Sequence, residues 1–141
     1  MPLLIRGPGV QAGTTTYKLT LNTDFFPTFT DLAGVPTPEY VDGRSLRPIL
    51  EGTATTWRRA ILLEQKGKPA EYYGIRTSDA RTWRKYMEYQ DGFKELYYLR
   101  SDPYELNNSY EATAPPKGLA TRLQALKDCA GATCRVAEGG Q

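Results

Sequence analysis

Histidine is absent from all 141 residues. Its absence excludes Ser-His-Asp and Cys-His nucleophilic triads, histidine acid–base catalysis and histidine-ligated zinc. Cysteine is scarce. Cys129 and Cys134 cannot supply the four ligands of a structural zinc site by themselves. Nor do they have the C-x-x-C spacing of thioredoxin-like redox motifs. Long hydrophobic runs are missing, and none approaches the ~20 residues that a membrane-spanning helix requires. The beginning of the chain, Met1-Pro2-Leu3-Leu4-Ile5-Arg6-Gly7, lacks signal-peptide anatomy. Charge excess is small: 18 basic against 16 acidic residues give +2, too little for an electrostatically driven nucleic-acid binder. Apolar residues make up 40% and charged residues 24%, the profile of an ordinary globular chain. The length sets a ceiling of one domain and allows one core.

The charges that are present are unevenly placed. Residues 57–100 carry ten basic and six acidic groups, and residues 101–116 carry three acids and no base. There is no internal repeat. Leu3-Leu4-Ile5, closed by Gly7-Pro8-Gly9, reads as a short strand buried on both faces. Thr16 to Leu21 is a second strand candidate, rich in β-forming residues. Asn22 or Thr23 suits a helix N-cap, with Asp24 in the first turn. Phe25, Phe29 and Leu32 then recur at helical spacing as one apolar stripe, and Gly34 and Pro36 end the helix.

After a Pro- and Gly-rich connection and one helical turn between Ser45 and Leu50, the pattern predicts an antiparallel meander. Its strands are Arg59–Glu64, Tyr73–Thr77, Trp83–Tyr89 and Lys94–Leu99, with Asp91-Gly92 as a hairpin turn. Leu119, Leu123 and Leu126 predict a final amphipathic helix that covers one face of this sheet. The tail from Val136 to Gln141 reads as loose. The fold class expected is α+β: about four antiparallel strands packed by a C-terminal helix, preceded by a strand and a helix.

Chemistry-bearing constellations are few. The cysteine pair, with Gly131 between, predicts a small structural disulfide at a helix end and an oxidising compartment. Ser101-Asp102-Pro103-Tyr104-Glu105 approaches a C/S-x-P-x-R nucleophile motif but has Glu where Arg belongs, so it reads as an Asp-Pro turn. Asn107-Asn108-Ser109 is a formal glycosylation sequon. Arg76, Arg81, Trp83, Arg84, Lys85 and Tyr86 mix base and aromatic. They read as a solvated hairpin packed on the last helix, or as the lining of a cleft for an anionic ligand. The carboxylates are scattered, so no metal site is expected.

The ordered set of pieces resembles a known family. Pro2-Leu3-Leu4-Ile5-Arg6-Gly7-Pro8-Gly9 is followed by Asn22-Thr23-Asp24-Phe25-Phe26-Pro27-Thr28-Phe29, Asp31-Leu32-Ala33-Gly34 and Val41-Asp42-Gly43-Arg44-Ser45-Leu46. Then come Tyr73-Gly74-Ile75-Arg76-Thr77, Lys85-Tyr86-Met87-Glu88-Tyr89, Glu95-Leu96-Tyr97-Tyr98-Leu99 and Asp102-Pro103-Tyr104-Glu105-Leu106-Asn107-Asn108. Together they resemble the C-terminal part of the type I sulfatases of the alkaline phosphatase superfamily. Leu126-Lys127-Asp128-Cys129-Ala130-Gly131 resembles the arylsulfatase and N-acetylglucosamine-6-sulfatase-like branch.

The resemblance implies that residues 1–56 are a terminal strand–helix piece of a large α/β sulfatase domain. Residues 57–141 would be the C-terminal antiparallel-sheet subdomain with its helix. It implies a sulfuric ester hydrolase whose formylglycine, calcium ligands and catalytic groups lie upstream of Met1. This chain would then hold no catalytic residue, no metal and no cofactor, and would be inactive alone. Its expected role is structural, with Arg76, Arg81 and Trp83 as candidate contacts at the substrate rim. The expected partners are an N-terminal sulfatase domain and a sulfated small molecule or glycan, with no nucleic acid or membrane. Self-association through Leu3-Leu4-Ile5 is a further expectation. Family members are often secreted, periplasmic or lysosomal, which suits the cysteine pair. The alternative function is a free-standing binding module for anionic, sulfated glycans.

Overall fold

A computed structural model describes residues 3–79, 82–114 and 116–139. A turn of 3-10 helix, Asn22–Asp24, leads into α1, Phe25–Leu32, and a single turn, α2, covers Arg47–Leu50. Four strands follow: β1 Ala60–Gln65, β2 Tyr72–Thr77, β3 Arg84–Tyr89 and β4 Lys94–Tyr98. The chain closes with α3, Lys117–Asp128, and α4, Ala132–Glu138. The sheet is an antiparallel meander in the order β1-β2-β3-β4. This is the expected α+β arrangement of four strands and a C-terminal helix.

The register places one residue of each strand in a row across the sheet. Leu62 pairs with Ile75, Ile75 with Tyr86, and Tyr86 with Leu96. Side chains alternate along a strand, so this row shares one face. Ala60, Ile75, Tyr86 and Leu96 form the core there with Leu119, Leu123 and Leu126 of α3. The three leucines stand at the helical spacing that keeps them on one side of α3. On the opposite face Met87 lies directly over Gly74, where any Cβ would collide with its sulfur. Past β4, the Asn108 side chain takes over the role of a neighbouring strand. Its Oδ1 accepts the Leu96 N–H at 3.0 Å and its Nδ2 donates to the Lys94 carbonyl at 2.9 Å, so this stretch of edge backbone is satisfied without a fifth strand.

The structure departs from expectation near both ends of the chain. Leu3–Ile5 and Thr16–Leu21 are not strands, and Leu4 is 92% exposed rather than buried. A strand requires a ladder partner, and among the described residues the four strands of the sheet pair only with one another. The apolar stripe of α1 faces outward: Phe25, Phe29 and Leu32 are exposed, while Pro27 and Thr28 are buried. Polar satisfaction explains the orientation. Thr28 Oγ1 accepts the Leu46 N–H at 2.9 Å and Asp24 Oδ1 accepts the Arg44 N–H at 3.0 Å, so the polar side of the helix meets the backbone of residues 44–46. At the other end of the chain, Val136 to Glu138 belong to α4 instead of a loose tail, and residues 140 and 141 lie outside the described residues. The predicted cysteine pair forms a disulfide, Cys129–Cys134, with Cα atoms 4.8 Å apart.

Candidate functional site

Of the rim candidates, Arg76 and Trp83 sit at one end of the β2–β3 pair. Arg76 is exposed on β2, directly opposite Lys85 in the register. Trp83 immediately precedes β3 and is half-buried. Its ring centroid lies 6.3 Å from that of Tyr17, and the Arg100 guanidinium lies 5.6 Å from it. Arg81 falls outside the described residues. Neighbouring basic groups have acidic partners: Arg84 meets Asp79 at 3.3 Å and Lys85 Nζ meets Glu105 Oε2 at 2.6 Å. Glu105 adopts φ 55°, unusual for a non-glycine residue, in the turn that follows β4. The Asp102 carboxylate supports this turn by accepting the Leu106 and Asn107 N–H groups at 3.0 and 2.9 Å. The sequence reading of an Asp-Pro turn thus holds, and the Ser101 hydroxyl donates to the Tyr98 carbonyl at 3.1 Å.

The face of the sheet opposite α3 carries a tyrosine–carboxylate group. Tyr89 donates its hydroxyl to Glu95 at 2.8 Å, and its ring contacts those of Tyr72 and Phe93 at 5.6 and 5.7 Å. Burial, then hydrogen bonding to Glu95, pushes the Tyr89 and Tyr97 phenols up to about 12. Tyr86, in the core, is raised as well, by burial first and then by its 2.7 Å bond to Glu88. Each folded-state pKa lies above the ordinary tyrosine value near 10. The unfolded chain therefore releases these protons first. Stability from these groups is complete below about pH 10 and is lost as pH rises toward 12. An absorbance titration at the tyrosinate band should show ionisation of these three residues coinciding with unfolding. Independent ionisation while circular dichroism stays native would contradict that.

The most buried charges form a second constellation that sequence reasoning missed. Arg58 and Asp24 are both fully buried, and Arg58 Nη1 and Nη2 reach the Asp24 carboxylate at 2.9 and 2.5 Å. Arg58 Nε lies 3.2 Å from Glu138 Oε2, and Arg44 Nη2 donates to the same oxygen at 2.7 Å. Trp57 carries both guanidiniums against its ring, 5.7 Å from Arg44 and 5.5 Å from Arg58, while its indole N–H donates to the Leu19 carbonyl at 2.6 Å. Burial raises the Glu138 pKa against the opposing pull of the two arginines. Burial likewise lowers that of Arg44. Asp24 also accepts the Leu21 N–H at 2.7 Å, so its lone pairs are fully engaged. A charge so enclosed has the geometry of a structural anchor, joining the start of α1 to the approach to β1 and the end of α4.

Among the described residues no three His, Cys, Asp or Glu side chains converge to hold a metal ion. Both cysteines are consumed in the disulfide. Neither cysteine is therefore a free thiol. Among the described residues no helix is long and apolar enough to cross a membrane.

Comparison with known proteins gives a consistent pattern. The family described as N-sulphoglucosamine sulphohydrolase, C-terminal, matches residues 1–128. An N-acetylglucosamine-6-O-sulfatase of Bacteroides thetaiotaomicron is 36% identical over 137 residues, covering 91% of this chain and 24% of that protein. The N-acetylglucosamine-6-sulfatase of Homo sapiens is 32% identical over 172 residues, covering 96% and 31% respectively. A solved structure of BT4656 in complex with its substrate D-glucosamine-2-N,6-O-disulfate superposes with a TM-score of 0.71 at 34% identity, over 82% of this chain and 25% of that one. The chain thus spans about a quarter to a third of the length of these relatives.

Proposed function

Because the chain belongs to the C-terminal family of the sulfatases, we propose that it serves as the C-terminal part of a sulfuric ester hydrolase whose catalytic centre lies in a separate portion. In this reading the chain completes the fold and contributes to the rim of the substrate cleft. The formylglycine and calcium of the reaction are held by the catalytic portion. The substrate is a sulfated small molecule or glycan, and Arg76 and Trp83 are the groups suited to meet it: one an exposed cation for a sulfate, the other an aromatic face for a sugar ring.

The observation that carries the reading is the inversion of α1. Phe29 and Leu32 are 67% and 57% exposed while Asp24 and Thr28 are buried. An amphipathic helix with its apolar side in water lacks the layer that side requires. Leu3, Ile5, Phe26 and Val35 add further exposed apolar surface in the same part of the chain. A catalytic portion that packs on α1 supplies the missing layer.

Co-expression tests this. The first three quarters of the Bacteroides relative, produced as a separate chain, should co-elute with this chain on size exclusion. Phe29→Glu should abolish co-elution and leave the circular dichroism of the isolated chain unchanged. Elution of the two chains as separate species, or co-elution indifferent to Phe29→Glu, would count against the reading.

A further inference from the structure

Helix α4 has only seven residues, too few to hold a helical conformation unaided. Its placement is imposed by its neighbours on two sides. On one side it meets residues 39–44. Gly131, at φ 54°, lies so close to the Glu39 carbonyl that a Cβ there would collide with it, and its N–H donates to Asp42 Oδ1 at 2.6 Å. Arg135 donates to the Val41 carbonyl at 3.2 Å, and Arg44 reaches both the Arg135 carbonyl and the Glu138 carboxylate. On the other side α4 meets the sheet and α3. The Arg59 N–H donates to the Glu138 carbonyl at 2.9 Å, and Arg122 of α3 donates to the Ala137 and Glu138 carbonyls. One short helix therefore bridges the first part of the chain to the sheet, and its last residue completes the buried Asp24–Arg58–Arg44 constellation.

The covalent tie on this bridge is the disulfide. Cys134 is buried in the first turn of α4, and Cys129 sits at the end of α3, where it lines an open hollow with Ala125, Asp128, Thr133 and Val136. We propose that the Cys129–Cys134 bond is a redox-sensitive fastener for the seam between residues 22–52 and the sheet, acting through α4. A dithiol reductant entering the hollow attacks Cys129 Sγ. It passes two electrons and two protons to the cysteine pair and is itself left as a disulfide. The two thiols no longer close the α3–α4 corner, α4 frays, and Glu138 withdraws from Arg44 and Arg58. The leucines of α3 and the core of the sheet do not depend on that corner, because Leu119, Leu123 and Leu126 precede it. The bond thus governs the seam and not the sheet. A sequence reading of the cysteine pair alone confines its effect to the helix end.

Amide hydrogen exchange on the full chain separates these possibilities. On reduction with dithiothreitol, the amides of Arg44, Arg59 and Gly131 should exchange roughly tenfold faster or more, while those of β2 and β3, such as Ile75 and Tyr86, keep their rates. Glu138→Gln, with the disulfide intact, should reproduce the faster exchange at Arg44 and Arg59. Unchanged seam amides after reduction would overturn the proposal. So would acceleration spread equally over Ile75 and Tyr86, or a Glu138→Gln variant with native exchange at Arg44 and Arg59.

Discussion

Replacing Arg58 with Met should destabilise the isolated chain by about 3–5 kcal/mol, the range for removing one partner of a buried ion pair. Arg58 and Asp24 have no solvent to fall back on, since both side chains are fully buried. The substitution preserves much of the volume, so packing loss is the smaller part. The larger part is the Asp24 and Glu138 carboxylates left buried beside each other without Arg58. Arg44, which bonds Glu138 at 2.7 Å, compensates one of them only. Urea unfolding at neutral pH, followed by circular dichroism, reads the effect directly. A typical domain has only about 5–15 kcal/mol of stability in total, so the midpoint shift should be large. The double variant Asp24→Asn with Arg58→Met should lose less than the sum of the single losses, because the two groups act on each other. Full additivity, or a loss under about 1 kcal/mol for Arg58→Met, would contradict the anchoring role.

Leu123→Ala should cost about 2–5 kcal/mol, whereas Leu32→Ala should change stability by less than about 0.5 kcal/mol. Both are leucines at helical spacing in an amphipathic stretch, and sequence pattern treats them alike. The difference is what each side chain touches. Leu123 is 1% exposed among Ile75, Tyr86 and the other core residues, so truncation leaves a cavity. Leu32 is 57% exposed and has little apolar contact to lose. Equal losses for the two variants, measured by thermal or urea unfolding of the isolated chain, would mean that α1 buries its stripe after all.

The contrast between these two leucines marks where the sequence was readable. The meander was legible because its signals are local: β-formers in runs, an Asp91-Gly92 turn whose glycine adopts φ 88°, and Asp102-Pro103 to stop the last strand. The α3 leucines were legible because the sheet they cover lies within the same chain. The α1 stripe is legible as a stripe, but its exposure is not. Periodicity identifies an apolar side but not the layer that meets it. Leu3-Leu4-Ile5 failed for the related reason that strand formation depends on a partner strand. The Asp24–Arg58 pair left no signal at all. Its members are 34 residues apart, and nothing in a single sequence joins them. The glycines after Glu138 make the tail read as loose, while the contacts that fix α4 come from residues 39–59 and from Arg122. Of the rim candidates, Arg76 and Trp83 do lie at one end of the β2–β3 pair, yet sequence gave no hint of the Tyr17 and Arg100 groups beside Trp83.

The proposal is that this chain completes a sulfatase whose catalytic centre lies in a separate portion. Hydrolysis of a sulfate ester requires a nucleophile, a cation for the developing charge and an acid for the leaving group. Binding alone does not lower the chemical barrier. The chain has no histidine, the described residues gather no metal-binding cluster, and its cysteines are bonded to each other. The direct measurement is release of 4-nitrophenol from 4-nitrophenyl sulfate by the purified chain, with and without calcium, beside Ser101→Ala and Cys129→Ala. The account predicts no turnover above buffer in any of these samples. Turnover by the unaltered chain that either substitution abolishes would place a catalytic site within these 141 residues and contradict it.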